Sequence, residues 1–240
     1  MYSPLTCARL PATQRSAIVR YLAGLAFASC LPANAGALAV SPLKLVYTNT
    51  SGIVAVSVQN DGTDEALVQA ETFLWKQIGG EHSLSPTEDV IAVPPVFKLA
   101  PGAQQSVRVG LTRAFDEKRE QTFRLTITEV PTTVAQGGVA VAVRHSLPIF
   151  VRPGSPMAPK LSAKIHAGGV EIGNSGNQHL RVHRWRLRDS SGAVFAQGSG
   201  PGYLLAGASQ LLPVAKRSQP GPTVFEADCD DGTLKTAAGQ

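Results

Sequence analysis

The chain has 240 residues, five histidines, three cysteines and a formal charge of +5. That charge is small, and no basic helix or aromatic-basic interleaving accompanies it, so nothing argues for a nucleic-acid partner. No long amphipathic helical pattern occurs either, which excludes a helical bundle.

The first segment reads as a leader. Arg9, Arg15 and Arg20 make a basic region, Tyr21–Leu31 is apolar, and Ala33-Asn34-Ala35 offers a small-residue cleavage site. The apolar run is about half of what a membrane span requires, so no membrane insertion is expected. Residues 1–35 are expected to be a secretory signal peptide, with a cut after Ala37 as the alternative. A lipoprotein signal at Cys30 is disfavoured by Phe27. Removing three arginines and no acid lowers the charge from +5 to +2. Cys7 and Cys30 leave with the leader, so Cys229 stays a lone thiol in an exported protein, and stability rests on packed sheets.

Beyond the leader, short runs rich in Val, Leu, Ile and Thr are punctuated by Gly, Pro, Asn and Asp. Strands are expected at Leu38–Tyr47, Gly52–Gln59, Ala66–Lys76, Val90–Val96, Gln105–Leu111, Thr122–Val130 and Val139–Val151. Strands at this spacing over ~110 residues argue for an immunoglobulin-like sandwich. Pro153, Pro156 and Pro159 then stiffen a short connector. Further strands are expected at Leu161–His166, Gly169–Gly173, Leu180–Arg188, Ala193–Gln197, Tyr203–Leu205, Gln210–Pro213 and Thr223–Asp228. The expected fold is all-β: two immunoglobulin-like β-sandwich domains, at 36–153 and 154–240.

Chemistry is sparse. His179 and His183 are spaced i, i+4, which on a strand separates them by ~13 Å, too far for one ion. All five histidines are expected to be solvated or at edges. There is no G-x-S-x-G elbow, C-x-x-C, P-loop or dinucleotide fingerprint, and Asp228, Asp230 and Asp231 read as a solvated loop. No enzyme, cofactor or metal is expected.

The segment GGVAVAVRHSLPIFVRP (137–153) is different. Val139, Val141 and Val143 share one face of an extended strand, and Pro148 within the same run marks an edge or a bulge. By pattern alone the valines face either this domain's own core or an outside partner.

PPVFKLAPGAQQSVRV (94–109), DEKREQTFRLTITEVP (116–131) and SLPIFVRP (146–153) occur in the order and spacing of the periplasmic pilus-chaperone family. LKLVYTNT, VSVQNDG and VQAETFLW resemble that family's first strands. The resemblance covers most of residues 38–153 and is thin beyond. The SLPIFVRP form resembles the archaic branch, whose subunits are similar to spore coat protein U.

The resemblance implies two sandwiches in a boomerang arrangement, pilus subunits and an outer-membrane usher as partners, and the periplasm as location. It implies that Val139, Val141 and Val143 belong to a strand lent to an incomplete subunit. It also implies a basic anchor for the subunit's terminal carboxylate. Lys44 stands at one of the family's two basic positions, but Pro148 stands at the other, and Arg144 is the expected substitute. Glu120 and Arg152 occupy the positions of an interdomain ion pair, expected to be open to solvent and weak; no acid of the second domain matches the family's third member. An exported structural subunit or adhesin is the alternative, and a sandwich enzyme would need clustered carboxylates or histidines.

Overall fold

Proline decides which sheet each early strand joins. Leu38–Ser41 (β1) pairs with Ile53–Asn60 (β3), but Pro42 has no N–H to continue a ladder, and Leu45–Tyr47 (β2) joins the opposite sheet. The same move recurs at Pro94-Pro95. Val90–Val93 (β6) pairs with Gln104–Leu111 (β8), whereas Val96–Leu99 (β7) pairs with Ala66–Ile78 (β4). The expectation from sequence makes Leu38–Tyr47 one strand and Val90–Val96 another; the structure divides the first into β1 and β2, ends β6 at Val93 and starts β7 at Val96. The computed structural model describes residues 38–48, 52–115, 118–131, 142–152, 156–214 and 223–239. The expected leader, Val139 and Val141 lie outside the described residues.

The described chain is all-β, with two immunoglobulin-like sandwiches. In the first, one sheet runs β1-β3-β8-β6. The other contains β2, Arg144–Val151 (β10), Gln121–Val130 (β9), β4 and Glu81–Pro86 (β5) in that order, with β7 also on β4. Val56, Val58, Val107 and Val109 on one sheet meet Val68, Phe123, Leu125, Ile127, Leu147 and Ile149 on the other, all fully buried. Period-2 alternation delivers each of them inward. β5 has every residue exposed, so no apolar pattern announced it.

The second sandwich follows one seven-stranded path. Val194–Leu204 (β14), Leu180–Arg188 (β13), Thr223–Cys229 (β16), Gly232–Gly239 (β17), Leu161–His166 (β11), Gly169–Asn174 (β12) and Ser209–Pro213 (β15) follow one another across it. A bulge between Val182 and Arg184 shifts the inward parity from Leu180 and Val182 to Trp185 and Leu187. Opposite that bulge Gly200 lies so close that a Cβ would fall 2.0 Å from the Val182 carbonyl oxygen. The glycines of β14 therefore mark close approach within one strand, where a break was expected.

One corner is built twice. Asn60 donates through Nδ2 to the carbonyls of Asp64 and Leu99 at 2.8 and 3.0 Å, and its Oδ1 accepts from Gly62 N–H. Asn174 repeats this with Gln178, Leu204 and Gly176 at 2.8, 3.2 and 3.1 Å. The backbone groups of the two residues also bond alike, to Ala103 and Gly102 in one case and to Ala208 and Gly207 in the other. Gly102 and Gly207 supply the left-handed φ of 72° and 78° that these turns need. Both asparagines are almost wholly buried.

Asn174→Ala should strip these partners and destabilise the second domain by roughly 3 kcal/mol in urea unfolding. A loss within experimental error would contradict the assignment. Glu226 yields a second expectation. Lys235 Nζ at 2.8 Å and Arg188 Nε at 2.9 Å hold its carboxylate and lower its pKa from 4.5 to about 2. An acid with a depressed folded pKa stabilises above its unfolded value and loses that contribution as pH falls through the folded one. Thermal midpoints should therefore drop between about pH 4.5 and pH 2, and Glu226→Gln should flatten that limb.

Candidate functional site

Strand register lays out the site in two rows across the outer face of the sheet that contains β10. The first row is Val46, Phe150, Thr122 and Trp75. Phe150 pairs with Val46 on one side and Thr122 on the other, and the Thr122 hydroxyl donates to the Trp75 carbonyl at 2.7 Å. This row is packed into the second domain: Trp75 and Phe150 belong to its core, with Tyr203 edge-on to Trp75 at 5.6 Å. β10 thus sends Leu147, Ile149 and Val151 into the first core and Phe150 into the second.

The second row lies one step up the strands. Pro148 pairs with Arg124, which pairs with Phe73. Lys44 precedes Leu45, the partner of Ile149, and so falls beside Pro148 on its other side. Two cations therefore flank the proline on one face, about 10 Å apart across two strand spacings. The Arg124 guanidinium lies 3.8 Å from the Trp75 ring centroid, reaches the Ser146 carbonyl at 3.3 Å, and has no carboxylate partner among the described residues. Burial holds its pKa below the usual arginine value. Lys44 is exposed and lines an interdomain cleft of about 350 Å³ with Arg152, His179, Arg181, Asp230 and Asp231.

The edge of β10 is open beside these cations. Odd residues bond toward β9, as Val143 does in accepting from Glu129 N–H. Even residues bond the other way, as Arg152 does in donating to the Tyr47 carbonyl. β2 covers that second side only from Ile149 to Val151. Above it, on the side away from β9, no described strand pairs with Arg144 or Ser146, and Pro148 has no N–H to offer. An uncovered stretch of this kind is a template for another chain's strand.

Below the rows the domains are latched. Glu120 has a fully buried side chain whose Oε2 accepts from the His179 backbone N–H at 2.9 Å and its Nδ1 at 2.6 Å. Arg152 Nε stands 3.6 Å from Oε1, an ion pair without a hydrogen bond. The His179 ring stacks on Phe150 at 3.6 Å between centroids. Asn177 adds backbone and side-chain bonds to Glu120, Lys118, Pro156 and Ala158, tying the connector to both domains.

The structure brings Glu120 and Arg152 together, but Glu120 is buried where solvent exposure was expected. The third member of the latch is the imidazole of His179, and not an acid. His179 is 7% exposed, contrary to its reading as a solvated or edge histidine, while His183 pairs separately with Asp230. Arg144 lies ~13 Å up the strand from Pro148 and donates to the Thr128 hydroxyl. Val143 is half-buried just before β10. Arg124 was missed because its relation to Pro148 exists only through register; the one signal was an arginine amid the buried run Phe123–Ile127.

Comparison with known proteins bears on the identity of this arrangement. The family model for the pili and flagellar-assembly chaperone, PapD N-terminal domain, matches residues 37–156. The chaperone protein FimB/FhaD of Bordetella pertussis is 26% identical over 206 residues, covering 78% of this chain and 81% of its own. The chaperone protein FaeE of Escherichia coli is 25% identical over 117 residues, or 48% of this chain and 43% of FaeE. A chain of the CsuC–CsuE chaperone–tip adhesion subunit pre-assembly complex, from archaic chaperone-usher Csu pili of Acinetobacter baumannii, superposes with a TM-score of 0.64 at 20% identity. That match covers 85% of this chain and 98% of the other. The E. coli chaperone DraB superposes with a TM-score of 0.60 at 19% identity, covering 85% and 99%. Both structural matches speak for the fold. The two-sandwich architecture and the family match lead to one conclusion: the chain belongs to the pilus-assembly chaperone family, whose members are not enzymes.

Proposed function

We propose that this protein works in the periplasm, captures pilus subunits by lending them the strand that runs from Val139 into β10, and hands them to an outer-membrane usher. The observation that carries this reading is the open edge of β10 beside Lys44 and Arg124, neither of which has a carboxylate partner among the described residues. A subunit strand laid on that edge gains backbone pairing from Arg144 and Ser146, while Val139, Val141 and Val143 fill its apolar groove. Each valine so buried contributes roughly 1.5–3 kcal/mol. The leader-like sequence of residues 1–35 supports the periplasmic location, and family membership supports delivery to an usher.

We assign the carboxylate anchor to Lys44 and Arg124. A subunit's terminal carboxylate entering the cleft needs charged donors, since an unpaired anion withdrawn from water is strongly disfavoured. Arg124 stands directly across from the proline that replaces the family's second basic residue, and a guanidinium offers a two-pronged grip that a lysine lacks. Arg144, farther up the strand, is the alternative anchor. Glu120, His179 and Arg152 hold the two domains at the angle that keeps this cleft open.

The anchor is tested by subunit co-purification from periplasmic extract, with the partner identified by mass. Lys44→Ala and Arg124→Ala should each lower the yield of complex at least tenfold while the chaperone still folds, a change of about 1.4 kcal/mol or more. Arg144→Ala should keep the yield near wild type; the reverse pattern moves the anchor to Arg144. The lent strand is tested separately. Val141→Asp should abolish capture with little change in the melting of the free chaperone, because a charge enters the partner's groove and not this protein's core. A collapsed melt would instead place Val141 in the domain's own core.

A further inference from the structure

The inward row of β10 does not stay aliphatic. Leu147, Ile149 and Val151 are buried in the first core, but the next residue up the same face is His145, followed by Val143. Across from Val143 on β9 stands Glu129, whose N–H donates to the Val143 carbonyl at 3.0 Å and whose neighbour on β4 is the fully buried Val68. Glu129 and His145 are therefore diagonal neighbours on the core-facing side of one sheet. Arg144 and Thr128 lie on the opposite face and bond to each other.

Both members of the diagonal are unsatisfied. Glu129 Oε2 and His145 Nε2 are buried, and neither has a hydrogen-bond partner among the described residues. Folded proteins rarely leave such atoms unpaired, and two of them side by side require a reason. They sit where β2 has ceased to cover β10, at the start of the segment assigned to the captured subunit.

A second consideration concerns register. Val139, Val141 and Val143 are identical side chains at a spacing of two, the repeat of a strand. A groove that accepts them in one position accepts them almost as well after a slip of two residues. An aliphatic row of this kind supplies affinity without position. A polar group within an apolar seam does supply position, because every wrong alignment leaves it unpaired.

We propose that Glu129 and His145 form a polar key that sets the register of the captured subunit by accepting hydrogen bonds from a donor side chain of the subunit. A carboxylate only accepts, and Nε2 accepts when Nδ1 carries the proton, so the matching group is a donor. A Ser or Thr hydroxyl or an Asn or Gln carboxamide fits. The inference rests on the strand-lending reading above.

Cysteine cross-linking reads the register directly. Ser146→Cys, on the exposed open edge, is combined with single cysteines at successive positions along the edge strand of the subunit that the wild-type chaperone captures. In the otherwise wild-type background one position should cross-link. With His145→Val or Glu129→Leu, cross-links should spread to positions two residues away, while the free chaperone melts at or above the wild-type temperature because a buried unpaired group is gone. Glu129→Gln, which keeps the shape, should spread them less. A single unchanged cross-link in all three variants overturns the key. Unfolding of all three also overturns it, since the pair would then be structural. A wild-type chain that captures no subunit at all refutes strand lending itself, and so marks a different failure.

Discussion

One strand is shared between two hydrophobic cores, and the rest of the molecule is arranged around that sharing. β10 commits Leu147, Ile149 and Val151 to the first sandwich and Phe150 to the second. Period-2 alternation makes this possible, because adjacent residues face opposite sides of the sheet. The consequence is mechanical. The strand cannot shift without disturbing both cores, so the open edge above it is presented at a fixed height and angle relative to the second domain. Trp75 reinforces the arrangement, since it rises from β4 into the same interdomain cluster.

Charge follows the same plan. Glu120, fully buried, is satisfied by His179 from the second domain and faced by Arg152 from the first. A buried carboxylate is tolerable only when nearby donors compensate it, so the two domains must meet correctly for the latch to form. Lys44 and Arg124 receive no such compensation among the described residues. The contrast separates a charge satisfied within the molecule from two cations that have no carboxylate partner among the described residues. The aromatic face of Trp75 under Arg124 makes the second condition affordable, since it orders and partly desolvates the guanidinium without neutralising it.

Proline and asparagine contribute at the backbone level. Pro42 and Pro94 end ladders and move the chain between sheets; the first of these leaves β2 only three residues long and the upper edge of β10 uncovered. Pro148 then withholds an N–H at the base of that edge. Asn60 and Asn174 close matching corners in the two sandwiches, and in the second the corner is extended by Asn177 to clamp the connector. The same local solution thus closes one domain and joins both.

Much of this was legible in the residues. Turn residues and alternating apolar runs located most strands, and β11 and β13 match their expected bounds, because burying one face of a strand imposes a pattern that needs no knowledge of the neighbour. The Glu120 and Arg152 pair and the position of Lys44 came from resemblance, and the first two do stand together. Strands without a buried face escaped notice: β5 is wholly exposed, and β17 is made of small and polar residues. Single runs interrupted by proline were read as one strand, since sequence does not say which sheet a strand enters after the break. Arg124 beside Pro148, His179 against Glu120, and Glu129 beside His145 are separated by 24, 59 and 16 positions. Each is a contact across strands or domains, so it depends on register and docking angle, which only the folded chain decides.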